Sequence, residues 1–199
     1  MKSKIVILAL ALIVSLGVFG CHITDAQCTF EISNPQDDEV VEGTITVTIS
    51  STCQLDAVMF FIDCNWVKSD VTEPFSYSWA TCSYSDGEHS IFAVGYYQGK
   101  IQGMDTVICE TYNNIRITNP QDTEWVSETV TITAYTPCPA TAVLFYVDGN
   151  FIGADYSGPY QWQWDTTSYS NGEHTIKVIR YYGGQGRDYD EITVTVVNY

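Results

Sequence analysis

Ala142-Val-Leu-Phe-Tyr-Val-Asp-Gly-Asn-Phe-Ile-Gly153, continued through Pro159-Tyr-Gln-Trp-Gln-Trp-Asp165 to Asn171-Gly-Glu-His-Thr-Ile176, decides the fold of this chain. An earlier copy reads Ala57-Val-Met-Phe-Phe-Ile-Asp63, Pro74-Phe-Ser-Tyr-Ser-Trp79 and Asp86-Gly-Glu-His-Ser-Ile91, always 85 positions upstream. A constant offset means one unit duplicated, so the 199 residues predict two small domains rather than one. Within each copy the apolar residues recur every second position, the period of a strand with one face toward a core. Asp148-Gly149 is a hairpin signal, because glycine accepts the positive φ of a type I′ turn. The first copy has Cys64 there, where a left-handed conformation costs on the order of 1 kcal/mol.

The remaining strands follow from the same alternation. In Thr44-Ile-Thr-Val-Thr-Ile49 the aliphatic residues face in and the threonines out, and Thr129-Val-Thr-Ile-Thr133 repeats the pattern. Phe75, Tyr77 and Trp79, like Tyr160, Trp162 and Trp164, send three rings to one face. Such a row invites sugar stacking, but packing in the core is the stronger expectation. Lys177 fixes the parity of the last hairpin: it should point outward, so Ile176 and Val178 point in, as do Ile91 and Ala93. Asn113-Asn114 is the only linker. It sets the domains at 28–112 and 113–199.

The first twenty residues read as an export signal, with Lys2 and Lys4 before an apolar run too short to span a bilayer. Val18-Phe-Gly-Cys21 resembles a bacterial lipobox, which makes Cys21 a lipidation candidate; cleavage after Ala26 is the alternative and would give a freely secreted protein. The formal charge of −16 becomes about −18 without the two lysines, as 24 acidic residues then face six scattered basic ones. Nucleic acid is excluded as a partner, since phosphate binding needs a basic footprint. A membrane is reached only through the lipid. Removing Cys21 leaves Cys28, Cys53, Cys64, Cys82, Cys109 and Cys138, an even set suited to disulfides in an oxidising compartment; their spacing does not suit zinc.

Seven or so short strands per unit argue an all-β fold of two tandem antiparallel sandwiches. Asn119-Pro-x-Asp122, Val143-x-Phe-Tyr-Val-Asp-Gly149, Pro159-Tyr-x-x-x-Trp-Asp-Thr166 and Asn171-Gly-x-His-Thr-Ile176 together resemble the bacterial immunoglobulin-like domains found in tandem on secreted and surface proteins. The resemblance covers nearly all of residues 29 to 199, with departures at Cys64 and Ala80. It implies the sandwich fold and leaves function open among spacers, adhesins and appendages to enzymes.

Catalysis finds little support. His89 and His174 occupy the same strand-start position in both copies, and no nucleophile elbow or paired-histidine motif accompanies them. Asp37, Asp38, Asp63, Asp86 and Glu88, with Glu39, fall in loops that such a sandwich would bring to one end, which makes Ca²⁺ the one cofactor candidate; turn chemistry is the competing explanation. The expected disulfides are Cys28 with Cys53 at one end of the first unit, Cys64 with Cys82 at the other, and, by analogy with Cys53, Cys138 with Cys109. An apolar partner surface is expected from Met59, Phe61, Phe92, Val94 and Tyr96 on the outer face of the first unit. The leading expectation is a non-catalytic exported protein that binds another protein or acts as a rigid spacer. Carbohydrate binding and assembly into a surface filament are the alternatives.

Overall fold

The computed structural model describes residues 28–199, so the export signal, Cys21 and the alternative cleavage after Ala26 lie outside the described residues. The first unit contains β1 (Phe30–Asn34), β2 (Val40–Val41), β3 (Thr44–Ser51), β4 (Ala57–Ile62), β5 (Asn65–Asp70), β6 (Ser76–Ala80), β7 (Gly87–Tyr97) and β8 (Lys100–Thr111). The second contains β9 (Arg116–Asn119), β10 (Trp125–Val126), β11 (Thr129–Tyr135), β12 (Ala142–Val147), β13 (Asn150–Asp155), β14 (Tyr160–Asp165), β15 (Gly172–Tyr182) and β16 (Gln185–Val196). One 3₁₀ turn follows β6 (Thr81–Ser83) and another follows β14 (Thr166–Ser168).

Each unit is a sandwich of two sheets. In the first unit β1-β3-β6 faces β2-β8-β7-β4-β5, and in the second β9-β11-β14 faces β10-β16-β15-β12-β13. The pairing is not wholly antiparallel: β2 runs parallel to β8, and β10 to β16. The cause lies at Asn34-Pro35 and Asn119-Pro120, where proline has no N–H to continue the ladder. The chain leaves the small sheet there and joins the edge of the large one. Asp37 fixes the crossing by accepting from the Ile108 N–H at 2.9 Å, and Asp122 does the same for Thr193 at 3.0 Å.

The core follows the alternation. Val58, Phe60, Ile62, Ile91 and Ala93 are fully buried against Ile32, Val47 and Trp79 of the facing sheet, while Ile176 and Val178 point inward on either side of Lys177. Trp79 and Trp164 each meet a tyrosine and a histidine edge-to-face (Tyr84 and His89, Tyr169 and His174), so the aromatic rows pack the interior.

The two units fill one inward position differently. Across β7 and β8, Gly95 faces Gly103, and a Cβ on either would collide with Phe30. The ring occupies the room the glycines leave. The repeat positions hold Arg180 and Asp188, an ion pair at 2.8 Å, with the smaller Ile115 in place of Phe30.

Candidate functional site at the domain junction

Duplication supplies an internal control, because a residue that does the same work in both copies maintains the fold. The acidic loops fall in that class. Asp63 Oδ1 accepts from the Ser90 N–H at 3.0 Å and its Oδ2 lies 2.7 Å from His89 Nδ1; Asp148 makes the same contacts with Thr175 and His174. Asp86 accepts from the Asn113 N–H, and Asp38 donates its own N–H to the Ile108 carbonyl. Glu39 accepts from the Gln36 N–H, as Glu124 does from Gln121. Asp37 and Asp63 are held on opposite sides of the β7–β8 pair, and Glu88 stands exposed on β7. Among the described residues no three or more His, Cys, Asp or Glu side chains are gathered to hold a metal ion. The calcium candidates Asp37, Asp38, Asp63, Asp86 and Glu88 are therefore not gathered into one cluster. The carboxylates of Asp37, Asp63 and Asp86 are committed to backbone N–H groups of turns and crossings.

The histidines are likewise structural. Nδ1 of His89 faces the Asp63 carboxylate and its Nε2 lies 2.8 Å from the Ser85 carbonyl, so both ring nitrogens meet acceptors. Burial pushes the pKa down, but these two bonds outweigh it and hold His89 above its ordinary value. His174 stands the same way between Asp148 and Ser170. Both ring nitrogens of each histidine are thus engaged by groups of the fold.

The bonds of the linker residue Asn113 recur as well, at Asn198 of the second copy; what is specific to one copy lies beside it, where the units meet. Asn113 is buried: its N–H bonds Asp86 Oδ1 at 2.8 Å, its side-chain oxygen accepts from Thr81 Oγ1 at 2.7 Å and from the Gly43 N–H at 3.2 Å, and its Nδ2 donates to the Thr81 carbonyl at 3.0 Å. Two residues later Ile115 is buried in the second core. Beside this linker Glu42 accepts from Arg116 Nη1 and from the Tyr135 hydroxyl, both at 2.9 Å, and the guanidinium lies 4.3 Å from the Tyr135 ring centre. The hydrogen bond from Arg116 holds the Glu42 carboxyl below its ordinary pKa. A Cβ at Gly43 would come within 3.0 Å of the Pro137 carbonyl, so the backbones of the two units nearly touch.

A covalent bond closes the junction. Cys82, at the end of the first unit, is bonded to Cys138 of the second, with 5.7 Å between their Cα atoms. Cys28 is bonded to Cys53, as the sequence suggests, but the other two expected bridges do not form. Cys64 is exposed and free, and Cys109 is buried and free. Cys109 projects inward opposite His89, deep in the first core, where burial pushes its thiol up to about 11. Cys64 keeps its left-handed conformation (φ +64°) without a bridge, because the preceding Asp63 ties the turn to β7. The junction residues Glu42, Gly43, Arg116 and Tyr135 escaped the sequence reading. Their signal was a mismatch between the copies: the equivalent positions are Ser127, Glu128, Glu31 and Ser50.

The expected partner surface lies as the parity predicts. Met59, Phe61, Phe92, Val94 and Tyr96 share the outer face of the large sheet, with Phe61 and Phe92 in contact at 5.7 Å. Val94 is itself buried by its neighbours, and the four others are half-buried. The most exposed apolar side chains of the face are ones the sequence reading passed over: Trp66 opposite Phe61, Met104 opposite Val94, Ile101 opposite Tyr96 and Ile108 opposite Ser90.

Two linked sandwiches of this topology define a tandem immunoglobulin-like protein. The chain belongs to the bacterial Ig domain family, whose model matches it twice, at residues 29–93 and 114–178. No curated protein matches it. Among solved structures it is similar to the fibronectin(III)-like modules of Clostridium thermocellum CbhA, with 22% identity over 84% of this chain and 94% of that one and a TM-score of 0.38. It is also similar to a Bacteroides uniformis β-glucuronidase, with 10% identity over 85% of this chain and 25% of that one and a TM-score of 0.36. A third is the Bacteroides ovatus mixed-linkage glucan utilization locus protein SGBP-B, at 13% identity, 86% and 48% coverage and a TM-score of 0.34. The family and the two disulfides point to an extracellular or surface location.

Proposed function

We propose that this is a non-catalytic exported protein whose two immunoglobulin-like units form one stiff arm, anchored at the cell surface or released from it, that presents or spaces a protein-binding surface. The observation that carries the reading is the covalent junction: Cys82–Cys138 beside the Glu42 clamp. A flexible tether needs neither of these, and an arm that must hold a fixed angle is served by both. Assembly into a filament by repeating the same junction is disfavoured by the free ends. The far end of the second unit carries Thr167 where the first has Cys82, and the near end of the first unit has Glu31 in place of Arg116, with Cys53 already bonded to Cys28.

On intact producing cells the protein should be reached by an impermeant label, and an impermeant cross-linker should trap it on a protein. Retention by insoluble polysaccharide, lost on replacing exposed aromatics such as Trp66 or Trp125, would replace this reading with carbohydrate binding. Turnover of a glycan by the purified chain would overturn it.

A further inference from the structure

The duplicated sandwich seals one of its sides in the first unit and leaves it open in the second. The small sheet ends at β6 in one and at β14 in the other, each paired on a single side. In an antiparallel ladder the residues that turn their N–H and C=O away from the partner alternate. The Ser76 N–H reaches Asp70 at 2.9 Å and the Gln161 N–H reaches Asp155 at 3.0 Å, not the neighbouring strand. Ser76 and Ser78 therefore face outward, as do Gln161 and Gln163. Such a row is a template for another strand, and natural proteins block it with lysine. The first unit does so: Lys68 of β5 crosses to the Ser76 carbonyl at 2.9 Å and stands 3.5 Å from Asp70, which caps both backbone groups of Ser76.

The second unit has Gly153 where the first has Lys68, and Trp162 where it has Tyr77. A Cβ at Gly153 would collide with the Trp162 indole, so that ring and a capping side chain exclude each other. Asp155 still caps the Gln161 N–H, but the lysine that would cap its carbonyl is gone. A cleft of about 290 Å³, lined by Gln161, Trp162 and Gln163, opens there instead. Outward N–H and C=O groups at strand spacing are matched in register by another extended backbone, whose alternate side chains enter the gap beside the edge. The cleft seats one apolar side chain on the indole. Asp155 and Asp165 stand at the two ends of this edge, in a chain of formal charge −16, so the matching strand carries lysine or arginine. A second copy has the wrong charge: pairing β14 antiparallel with itself sets Asp165 of each copy against the Asp155-capped end of the other. We infer, on the protein-binding reading above, that the free edge of β14 is where the arm takes its partner, by adding an extended, basic segment of another protein to the small sheet of the second unit.

Panning a random-peptide display library on the purified full chain tests this. The expected binders alternate apolar and polar residues, carry lysine or arginine near their ends, and bind in solution as synthetic peptides. Gly153→Lys with Trp162→Tyr gives β14 the seal that the first unit already carries. It should raise the dissociation constant of such a peptide roughly thirtyfold or more, with the melting temperature nearly unchanged. Methylating the peptide nitrogens that face β14 should abolish binding, whereas methylating those that face solvent should not. The bound peptide should slow hydrogen exchange at the Gln163 amide and leave Ser78 as it was. A library that yields no such binder, a peptide indifferent to the seal, or one that tolerates both methylations would overturn the inference. A protein trapped on cells whose binding survives the seal leaves the protein-binding reading standing and removes β14 from it. Self-association of the chain, lost with the seal, would put a second copy on the edge and overturn the assignment of a basic partner.

Discussion

A histidine ring held between two acceptors satisfies both only as the imidazolium, and here the arrangement occurs twice, at His89 and His174. Both have pKa values raised above the ordinary 6.5, so their contribution to stability is fully present below pH 6.5 and is lost as pH rises through the raised value. Asp148 works in the opposite sense. Burial opposes its ionisation, but the bonds from His174 and Thr175 hold its pKa below the ordinary 3.8, so its contribution is lost as pH falls through that lowered value. The melting temperature should therefore peak between about pH 4 and 6.5 and decline on the alkaline side. Replacing His89→Gln together with His174→Gln should flatten the alkaline slope and cost about 1–3 kcal/mol per site, checked by thermal melts across pH. The sequence already marked these histidines as structural, because their position is duplicated. It could not show that Asp63 is the partner of His89, as Asp148 is of His174, and for that reason Asp63 stood among the calcium candidates. A carboxylate in a loop looks the same on paper whether it faces a cation or a backbone amide.

At the scale of single strands, the exchange of Phe30 with Gly95 and Gly103 for Ile115 with Arg180 and Asp188 shows one place in the sandwich filled by two different solutions. Gly103→Ala should cost about 1–3 kcal/mol by pushing the Phe30 ring out of its seat. Phe30→Ile should relieve part of that loss, and a double-mutant cycle by chemical denaturation should return a coupling above about 0.5 kcal/mol. Strand positions and inward parity were legible in the sequence, since alternation over five or more residues has one reading once Lys177 is placed outside. The parallel pairs were not. β2 and β10 are two residues long, too short for any period, and their direction depends on a chain that changes sheets at a proline.

For the whole molecule, the consequence of the junction is cooperativity between units. Calorimetry of the oxidised chain should show one coupled unfolding transition, and Cys82→Ser with Cys138→Ser should split it into two and lower stability by about 4 kcal/mol, the scale for a loop of this length. Glu42→Gln should cost no more than about 1 kcal/mol, because the pair with Arg116 is partly open to water, yet it should widen the range of inter-unit angles seen by small-angle scattering. The cross-unit bond was hidden by the same repeat that revealed the fold. Cys138 matches Cys53, but the match of Cys28 is Asn113, so the second unit holds no thiol in that place and Cys138 takes one from its neighbour. The same two bonds decide how the molecule bears a pull. Traction between residue 28 and residue 199 crosses from Cys28 to Cys53 and from Cys82 to Cys138 through sulfur, bypassing β1, the linker and most of the strands between. Only the segments after Cys53 and after Cys138 can pay out, about 90 residues or roughly 300 Å of contour. Reduction should double that to about 600 Å in single-molecule force spectroscopy. Oxidised, the arm is a tether with half its slack sewn in.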